Sequence, residues 1–404
     1  MEPSTTTVLR GGRVFDGTGA APFPADVRIE HGRIAAVGPE LTGETVVDIG
    51  GKTLLPGLID SHVHVMSTGL DLLRRLDQPF SYGFYLAARN LSAMLDCGIT
   101  SARDAGGADL GIKSALQDGL LEGPRLRIAI TMMSQTGGHG DGWRPSGCTV
   151  TSQVPHPGRP SGIADGVDGV RLKVREIVRA GADVIKICTT GGVLSPGDDP
   201  RHSQYSAEEV AAVVMEASAT GRPVMAHAQS ARGIRYAVRA GARSVEHGIH
   251  LDDETIEEML EHDVWLVPTL AAPHAIIKAA DAGLPVNPAA VEKAKGVAEL
   301  HMASFAKAAA AGVRIAMGTD SGVGEFGDNL DELALMAQAG MSPTDVLVAT
   351  TSRAAELLGL DDETGTIAVG KRADLVVVEG ELDHFEDLKA RIGAVYQDGI
   401  RIRG

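Results

Sequence analysis

The sequence predicts a TIM-like (β/α)8 barrel carrying a small β-sandwich domain built from both chain ends. Three observations lead there. The chain has 404 residues, more than a single hydrophobic core usually organises. Eight short apolar runs alternate with amphipathic helical stretches through its middle, the pattern of a closed parallel sheet. Both ends instead read as hairpins, each too small to stand alone. The expected boundaries are residues 1–57 and 360–404 for the small domain and 58–359 for the barrel.

At the N-terminal end, Thr7-Val8-Leu9-Arg10-Gly11-Gly12 is a short strand and turn, and Asp26-Val27-Arg28-Ile29-Glu30 alternates polar and apolar. His31-Gly32 turns the chain into Arg33-Ile34-Ala35-Ala36-Val37-Gly38. Near the other end, Leu375-Val376-Val377-Val378 and Ala394-Val395-Tyr396-Gln397-Asp398-Gly399 resume that grammar. The runs between are Leu58–Asp60, Ile99–Ser101, Leu126–Ile130, Val184–Ile187, Val224–Ala226, Ser244–Glu246, Trp265–Val267 and Ile315–Met317. Among the helical stretches that separate them, the one from Ala207 opens on Ser206 and Glu209, the spacing of a capping box. Glycine, at 50 residues, exceeds the usual ~7% and suits many tight strand-to-helix turns.

Composition narrows the function. A net charge of −16 without any Lys/Arg-rich run argues against nucleic acid or an anionic membrane as partner. Aromatic residues at 3% supply few stacking surfaces for single strands. The opening residues, Met1 to Thr5, lack the basic and apolar regions of a signal peptide, and no stretch approaches the ~20 apolar residues of a membrane span. Cys97, Cys148 and Cys188 form neither a disulfide framework nor a zinc-finger spacing. The expectation is a reduced, cytoplasmic protein acting on a small molecule.

In such barrels the active site lies at the C-terminal strand ends. There, Asp60-Ser61-His62-Val63-His64 places two imidazoles two residues apart, on one side of a strand. Lys186 interrupts Val184-Ile185-Lys186-Ile187-Cys188. A lysine there is either a partner for a buried carboxylate, a snorkelling surface residue, or an amine that burial neutralises. A neutral amine can capture carbon dioxide as a carbamate, whose two oxygens suit a bridge between hard cations. His227, His247 and Asp320 close the fifth, sixth and eighth runs. Singly each could be a loop or capping residue. Jointly, six such residues at five strand ends that converge on one mouth point to a shared metal site.

Gly57-Leu58-Ile59-Asp60-Ser61-His62-Val63-His64, the fourth-strand lysine, the two later histidines and Gly318-Thr319-Asp320-Ser321 resemble the amidohydrolase superfamily. The similarity runs on to Gly370-Lys371-Arg372-Ala373-Asp374-Leu375 and so spans nearly the whole chain. Lys186 favours the binuclear branch with a carboxylated lysine over the related mononuclear imidazolonepropionases and deaminases. Ala182 to Ile187, Thr190 to Ser195 and Gly137-Gly138-His139-Gly140-Asp141 resemble the prolidase-like dipeptidases and carboxypeptidases.

That resemblance implies two divalent metal ions, zinc first, though ligand type alone leaves manganese and cobalt open. His62, His64 and Asp320 would hold one ion and His227 and His247 the other, bridged by a CO2-derived carboxylate on Lys186. Two ions ~3.5–4 Å apart can share a water and bring its pKa toward ~7, so that a bridging hydroxide attacks an amide carbonyl. Asp320 would move the proton to the leaving amine. His139 would stabilise the carbonyl oxygen or bind the substrate carboxylate. Arg144, Arg201, His202, Tyr205, Tyr82 and Tyr85 are further candidates for that carboxylate, with Arg232 a weaker one. The implied reaction is cleavage of a dipeptide or N-acyl amino acid, in the manner of an Xaa-Pro dipeptidase or carboxypeptidase. The alternatives are hydrolysis of a cyclic amide, a lactone or a xenobiotic amide or ester, or a non-catalytic scaffold. The resemblance admits a homo-oligomer.

Overall fold

The computed structural model describes residues 6–67, 69–71, 77–151, 154–195 and 197–404. The reading of the N-terminus as lacking a leader rests on residues 1–5, outside that range. The described strands of the two ends form one eight-stranded sheet. It contains β1 (Thr7–Val14), β2 (Phe23–Glu30), β3 (Arg33–Gly38), β4 (Thr45–Asp48) and β5 (Lys52–Pro56), with β14 (Leu375–Glu379), β15 (Ile392–Gln397) and β16 (Ile400–Arg403) from the C-terminal end. The order is β16-β15-β14-β5-β1-β2-β3, with β4 beside β1. The two ends share one continuous hydrogen-bonded sheet, in which β5 and β14 pair antiparallel from Lys52–Glu379 to Pro56–Leu375, and Ile34 of β3 and Tyr396 of β15, from opposite ends of the strand order, meet in one apolar cluster. Both foreseen turns follow from sequence, since His31-Gly32 (φ 51° and 75°) and Asp398-Gly399 (φ 49° and 73°) take the left-handed backbone that tight hairpins need.

The central region supplies β6 (Leu58–Val63), β7 (Ile99–Asp104), β8 (Arg125–Ile128), β9 (Met132–Met133), β10 (Ile185–Cys188), β11 (Val224–Ala228), β12 (Ser244–His247) and β13 (Trp265–Val267). These are parallel, in two sheets ordered β6-β7-β8 and β13-β12-β11-β10-β9. The helices between them include α1 (Tyr82–Asp96), α2 (Leu110–Gln117), α3 (Gly166–Arg179), α4 (Ala207–Ser218), α5 (Ala231–Ala240), α6 (Asp253–Glu261), α7 (Ala271–Asp281) and α8 (Pro288–Ala311). Ser206 and Glu209 make the capping box expected at the start of α4.

Two departures mark the third and eighth runs. The third is split, because Ile130 sits at φ 66°, a conformation a β-branched residue rarely takes. Its first half pairs with β7 and its second with β10, and Asp183 N–H donates to Ile128 O at 2.8 Å across the break. The eighth run is not a regular strand, and residues 314–321 bridge their neighbours singly. Ala316 N–H donates to Leu266 O (3.1 Å) and Thr269 N–H to Gly318 O (3.1 Å) on the β13 side. On the other, Ser61 N–H donates to Met317 O (2.9 Å) and Asp320 N–H to His62 O (2.7 Å). The physical reason is Asp320, whose φ of 59° turns the chain out of the ladder.

β6, β7 and β10 to β13 are buried throughout, as strands covered on both faces require. No described helix is long and apolar enough to cross a membrane.

Candidate metal centre

The six residues singled out as metal ligands line one cavity of about 620 Å³. β6 ends in His62, and His64 follows it. β10 carries Lys186, β11 His227 and β12 His247. Asp320 closes the eighth segment. His62, His247 and Asp320 offer ligand atoms that all lie within 4.8 Å of one another. His64 Nε2 is 3.2 Å from Asp320 Oδ1, and His62 Nε2 is 3.5 Å from the same oxygen. His227 joins through His247, with ring centroids 4.6 Å apart.

Each histidine spends one ring nitrogen on the protein. His62 Nδ1–H donates to Glu246 Oε2 (2.6 Å), and His64 Nδ1–H to Gly106 O (2.8 Å). His227 Nε2–H donates to Gly191 O (3.1 Å), and His247 Nδ1 pairs with Thr269 Oγ1 (2.7 Å). Such contacts fix the ring and leave the other nitrogen as a donor atom for an ion. Burial, then the nearby Lys186, lowers the pKa of His62 to about 4. Burial and neighbouring rings hold His227 and His247 well below the usual imidazole range. His64 differs: burial pulls it down, but its hydrogen bond to Asp320 outweighs that and raises it. Burial raises Asp320, yet His62, His64 and Lys186 outweigh this and keep it below the usual carboxylate range. His62, His227 and His247 are therefore neutral beside an ionised Asp320, the protonation state that metal binding needs, while His64 keeps a proton toward Asp320 that an ion would have to displace.

Lys186 is 1% exposed, and its Nζ has no hydrogen-bond partner among the described residues. Burial lowers its pKa, against the pull of Glu246. An orphaned buried amine among imidazole donors is a poor structural element and a good precursor of a metal-bridging carbamate. The donor set thus fits divalent ions.

Backbone strain concentrates here. His247 (φ 74°), Thr269 (φ 54°) and Asp320 (φ 59°) are all left-handed, which costs a non-glycine residue on the order of 1–2 kcal/mol. Gly318 is required behind His62, because a Cβ there would come within 2.4 Å of Val267 Cγ1 and 3.0 Å of His62 Cβ.

Several supporting residues escaped the sequence reading. Glu246 is fully buried, accepts two bonds from Arg103 Nη2 (2.9 and 3.0 Å), and holds His62. Burial raises its pKa, but Arg103 and His62 outweigh this and bring it to about 2. Asp60 accepts from His62 N–H (3.1 Å), Thr319 N–H (3.1 Å), Thr319 Oγ1–H (2.8 Å) and Asn329 Nδ2 (2.9 Å), stitching the first strand to the eighth. A signal existed for both, since each is an acid inside an apolar run.

Of the proposed substrate contacts, His139 and Arg144 line the cavity, and Arg144 is the only arginine among its described lining residues. The rest lie elsewhere. Arg201 is exposed and paired with Asp199 at 2.6 Å, and His202 is exposed on the same turn. Tyr205, left-handed at φ 59°, turns inward and joins the barrel core. Tyr82 lines a neighbouring cavity. Tyr85 is 75% exposed. Arg232 donates to the Tyr236 hydroxyl on the surface of α5. The reasons are local: Arg201 and Arg232 pair on their own turn or helix, His202 and Tyr85 are exposed, and Tyr205 is taken up by the core.

A cavity ringed by histidines at barrel strand ends defines a class of metal-dependent hydrolase, and comparison with known proteins places the chain within it. Residues 53–400 match the model of the amidohydrolase family. Ochratoxinase of Aspergillus niger is 33% identical over 96% of this chain and 84% of its own length. A prolidase solved in complex with N-methylphosphonate-L-proline is 36% identical, with a TM-score of 0.89 over 99% of this chain and 100% of that one. An Xaa-Pro dipeptidase with methionine bound in its active site is 30% identical, with a TM-score of 0.90 over 99% of this chain and 100% of that one. The chain belongs to the amidohydrolase family and its prolidase-like subgroup. It is a hydrolase acting on amide bonds in small molecules, in a family that uses divalent metals and whose architecture is a TIM barrel with a small domain.

Proposed function

We propose that this protein hydrolyses the amide bond of a dipeptide or N-acyl amino acid, as an Xaa-Pro dipeptidase or carboxypeptidase does, at a binuclear centre bridged by carboxylated Lys186. The observation that carries this reading is the Lys186 amine, buried and unpartnered among four imidazoles. On this reading the barrel ring of residues 58–359 closes through the eighth segment, and residues 1–57 and 360–404 form the small domain. His62, His64 and Asp320 would hold one ion, and His227 and His247 the other, with zinc favoured by the imidazole and carboxylate donors. When bound, the ions supply polarisation of the amide carbonyl and acidification of water at neutral pH.

The chain's own groups do the rest. Asp320 takes the proton released by the attacking water and delivers it to the leaving nitrogen, since an amine leaves poorly unprotonated. His139, stacked on His227 at 4.2 Å, meets the carbonyl oxygen. Arg144, with no competing guanidinium among the described residues of the cavity, receives the carboxylate of the released amino acid, a charge-assisted pairing. Val193, Leu194, Ile276, Val286 and Val323 give the cavity an apolar wall that suits an uncharged acyl side.

The test is metal analysis followed by a panel of Xaa-Pro dipeptides and N-acetyl amino acids. Release of free amino acid is expected, with Asp320→Asn slower by about 10²–10⁴-fold. Failure of the metal-loaded enzyme across the panel would refute this reading. A second reading is favoured by the 33% identity to ochratoxinase and by the apolar wall: hydrolysis of a bulkier apolar amide, cyclic amide, lactone or ester. Turnover of ochratoxin with no activity on the peptide panel would select it.

A further inference from the structure

His139 reaches the cavity from a loop beyond β9, so its ring needs external support. Nδ1 lies 2.8 Å from Ser195 Oγ, and that hydroxyl donates to Asp198 Oδ1. The Ser195 oxygen is therefore left to accept from Nδ1–H, and a substrate oxygen is bound by Nε2 only when that nitrogen also carries a proton, the cationic form that Asp198 Oδ2 faces at 3.7 Å from Nδ1. The other Asp198 oxygen accepts from Gly192 N–H and Gln204 Nε2, both at 3.2 Å. Gln204 Oε1 in turn accepts from His139 N–H at 2.9 Å. Ring and backbone of His139 thus lead to one carboxylate. Gly192 packs against the ring, where a Cβ would come within 2.1 Å.

The assembly is fastened from outside. Lys293, on α8, donates to Gly192 O (3.0 Å), Ser195 O (2.7 Å) and Asp198 O (2.5 Å), with Asp198 Oδ1 at 3.5 Å. Three donors on three carbonyls saturate an ammonium, and Asp198 balances its charge. Lys293 is absent from the lining of the cavity, so a substrate contact does not explain it.

We propose that Lys293 is a positioning residue, a clamp that holds Ser195 and Asp198 in place and thereby sets His139 against the scissile carbonyl. This rests on the assignment of His139 above. The test uses the full-length, metal-loaded protein as wild type, Lys293→Met, Lys293→Arg, Ser195→Ala and His139→Ala. Hydrogen exchange over residues 189–204 reads the clamp without turnover. Lys293→Met should exchange at least about tenfold faster there, with exchange elsewhere and metal content unchanged, and Lys293→Arg should fall between. With Leu-Pro as substrate, Lys293→Met should lower kcat by about 10–100-fold at nearly constant KM, the signature of a misplaced group. Lys293→Arg should recover part of it. Ser195→Ala, which removes the Nδ1 partner and its bond to Asp198 but leaves the three Lys293–carbonyl bonds, should lower kcat without loosening the loop.

Unchanged exchange in Lys293→Met overturns the proposal, whether or not Leu-Pro is turned over. So does faster exchange with wild-type kcat when His139→Ala is impaired. Wild-type turnover by His139→Ala would instead remove His139 from the proposed reaction, leaving the exchange data to judge the clamp.

Discussion

An amine without a partner and three imidazoles held neutral are costly residues to bury, and the cost has a measurable direction. Lys186→Met should hold less than about a tenth of the wild-type metal, while its metal-free form unfolds at no lower urea concentration than metal-free wild type, because a buried unpaired amine is replaced by an apolar chain of similar length. A Lys186→Ala protein should regain part of its metal in millimolar propionate, which places a carboxylate in the space left. Metal content equal to wild type in Lys186→Met would show that the lysine bridges nothing. The histidines predict a pH dependence of opposite kind. His62 has its pKa lowered to about 4 by burial, and His227 and His247 are held well below the usual imidazole range by the same cause. At these three histidines the unfolded chain therefore binds more protons than the folded one below about pH 6.5, and their contribution to stability falls as pH drops from there toward 4, against a smaller opposing contribution from Asp60 and Glu332, which burial raises to about 6 and about 8. His62 alone accounts for on the order of 3 kcal/mol. The urea midpoint of the metal-free protein at pH 4.5 should lie well below that at pH 7, and a flat profile would contradict neutral burial. Lys186 and the paired His62 and His64 were legible in sequence because each breaks an apolar run at a strand end. Arg201, His202 and Tyr205 misled because loop sequence does not say which side chains pair on their own turn, stay exposed or fold into the core.

Between strands, the unit that matters is the charged group linking β6, β7 and β12. Glu246 on β12 takes Arg103 of β7 and His62 of β6 together, and Ser61 O accepts from Arg103 Nε at 2.7 Å. No local periodicity reveals this cross-barrel pairing: in sequence Glu246 is one acid beside His247, and Arg103 lies over a hundred residues away. The alternation of strand and helix, by contrast, is written in short-range pattern, which is why the order of elements and the capping box of α4 could be read while the breaks at Ile130 and Asp320 could not. Glu246→Gln leaves Arg103 buried without its counter-charge, a change that typically costs about 3–5 kcal/mol. It should lower the urea midpoint and also reduce metal content by about 10–100-fold, since His62 loses the partner that orients it. Stability lost with metal affinity intact would mean that Glu246 serves the core alone.

Across the whole molecule, the terminal sheet and the barrel are not separable bodies. Val376, Val378 and Val395 of the sheet belong to the same apolar cluster as Leu91, Met94 and Ile99 of the barrel. Arg125 on β8 pairs with both Asp374 and Asp398, and Gln397 Nε2 donates to Thr100 O and Gly123 O, each at 3.3 Å. Gly57 N–H donates to Asp374 O at 2.7 Å where β5 hands over to β6. A body that buries its apolar face against another loses that burial, at roughly 25 cal/mol per Å2, when the two part, so separation should not precede unfolding. We therefore expect one cooperative transition. Trp265, fully buried in the barrel, reports one half by fluorescence in a Trp143→Phe background, and hydrogen exchange over residues 375–397 reports the other. The two should share a urea midpoint. Removal of residues 392–404, which strips buried Val395 and Tyr396 from the sheet and leaves β14 unpaired on one edge, should abolish metal retention although every proposed ligand remains in the chain. A lower midpoint for the sheet, or a truncated protein that still holds metal, would show that the barrel sustains its mouth unaided.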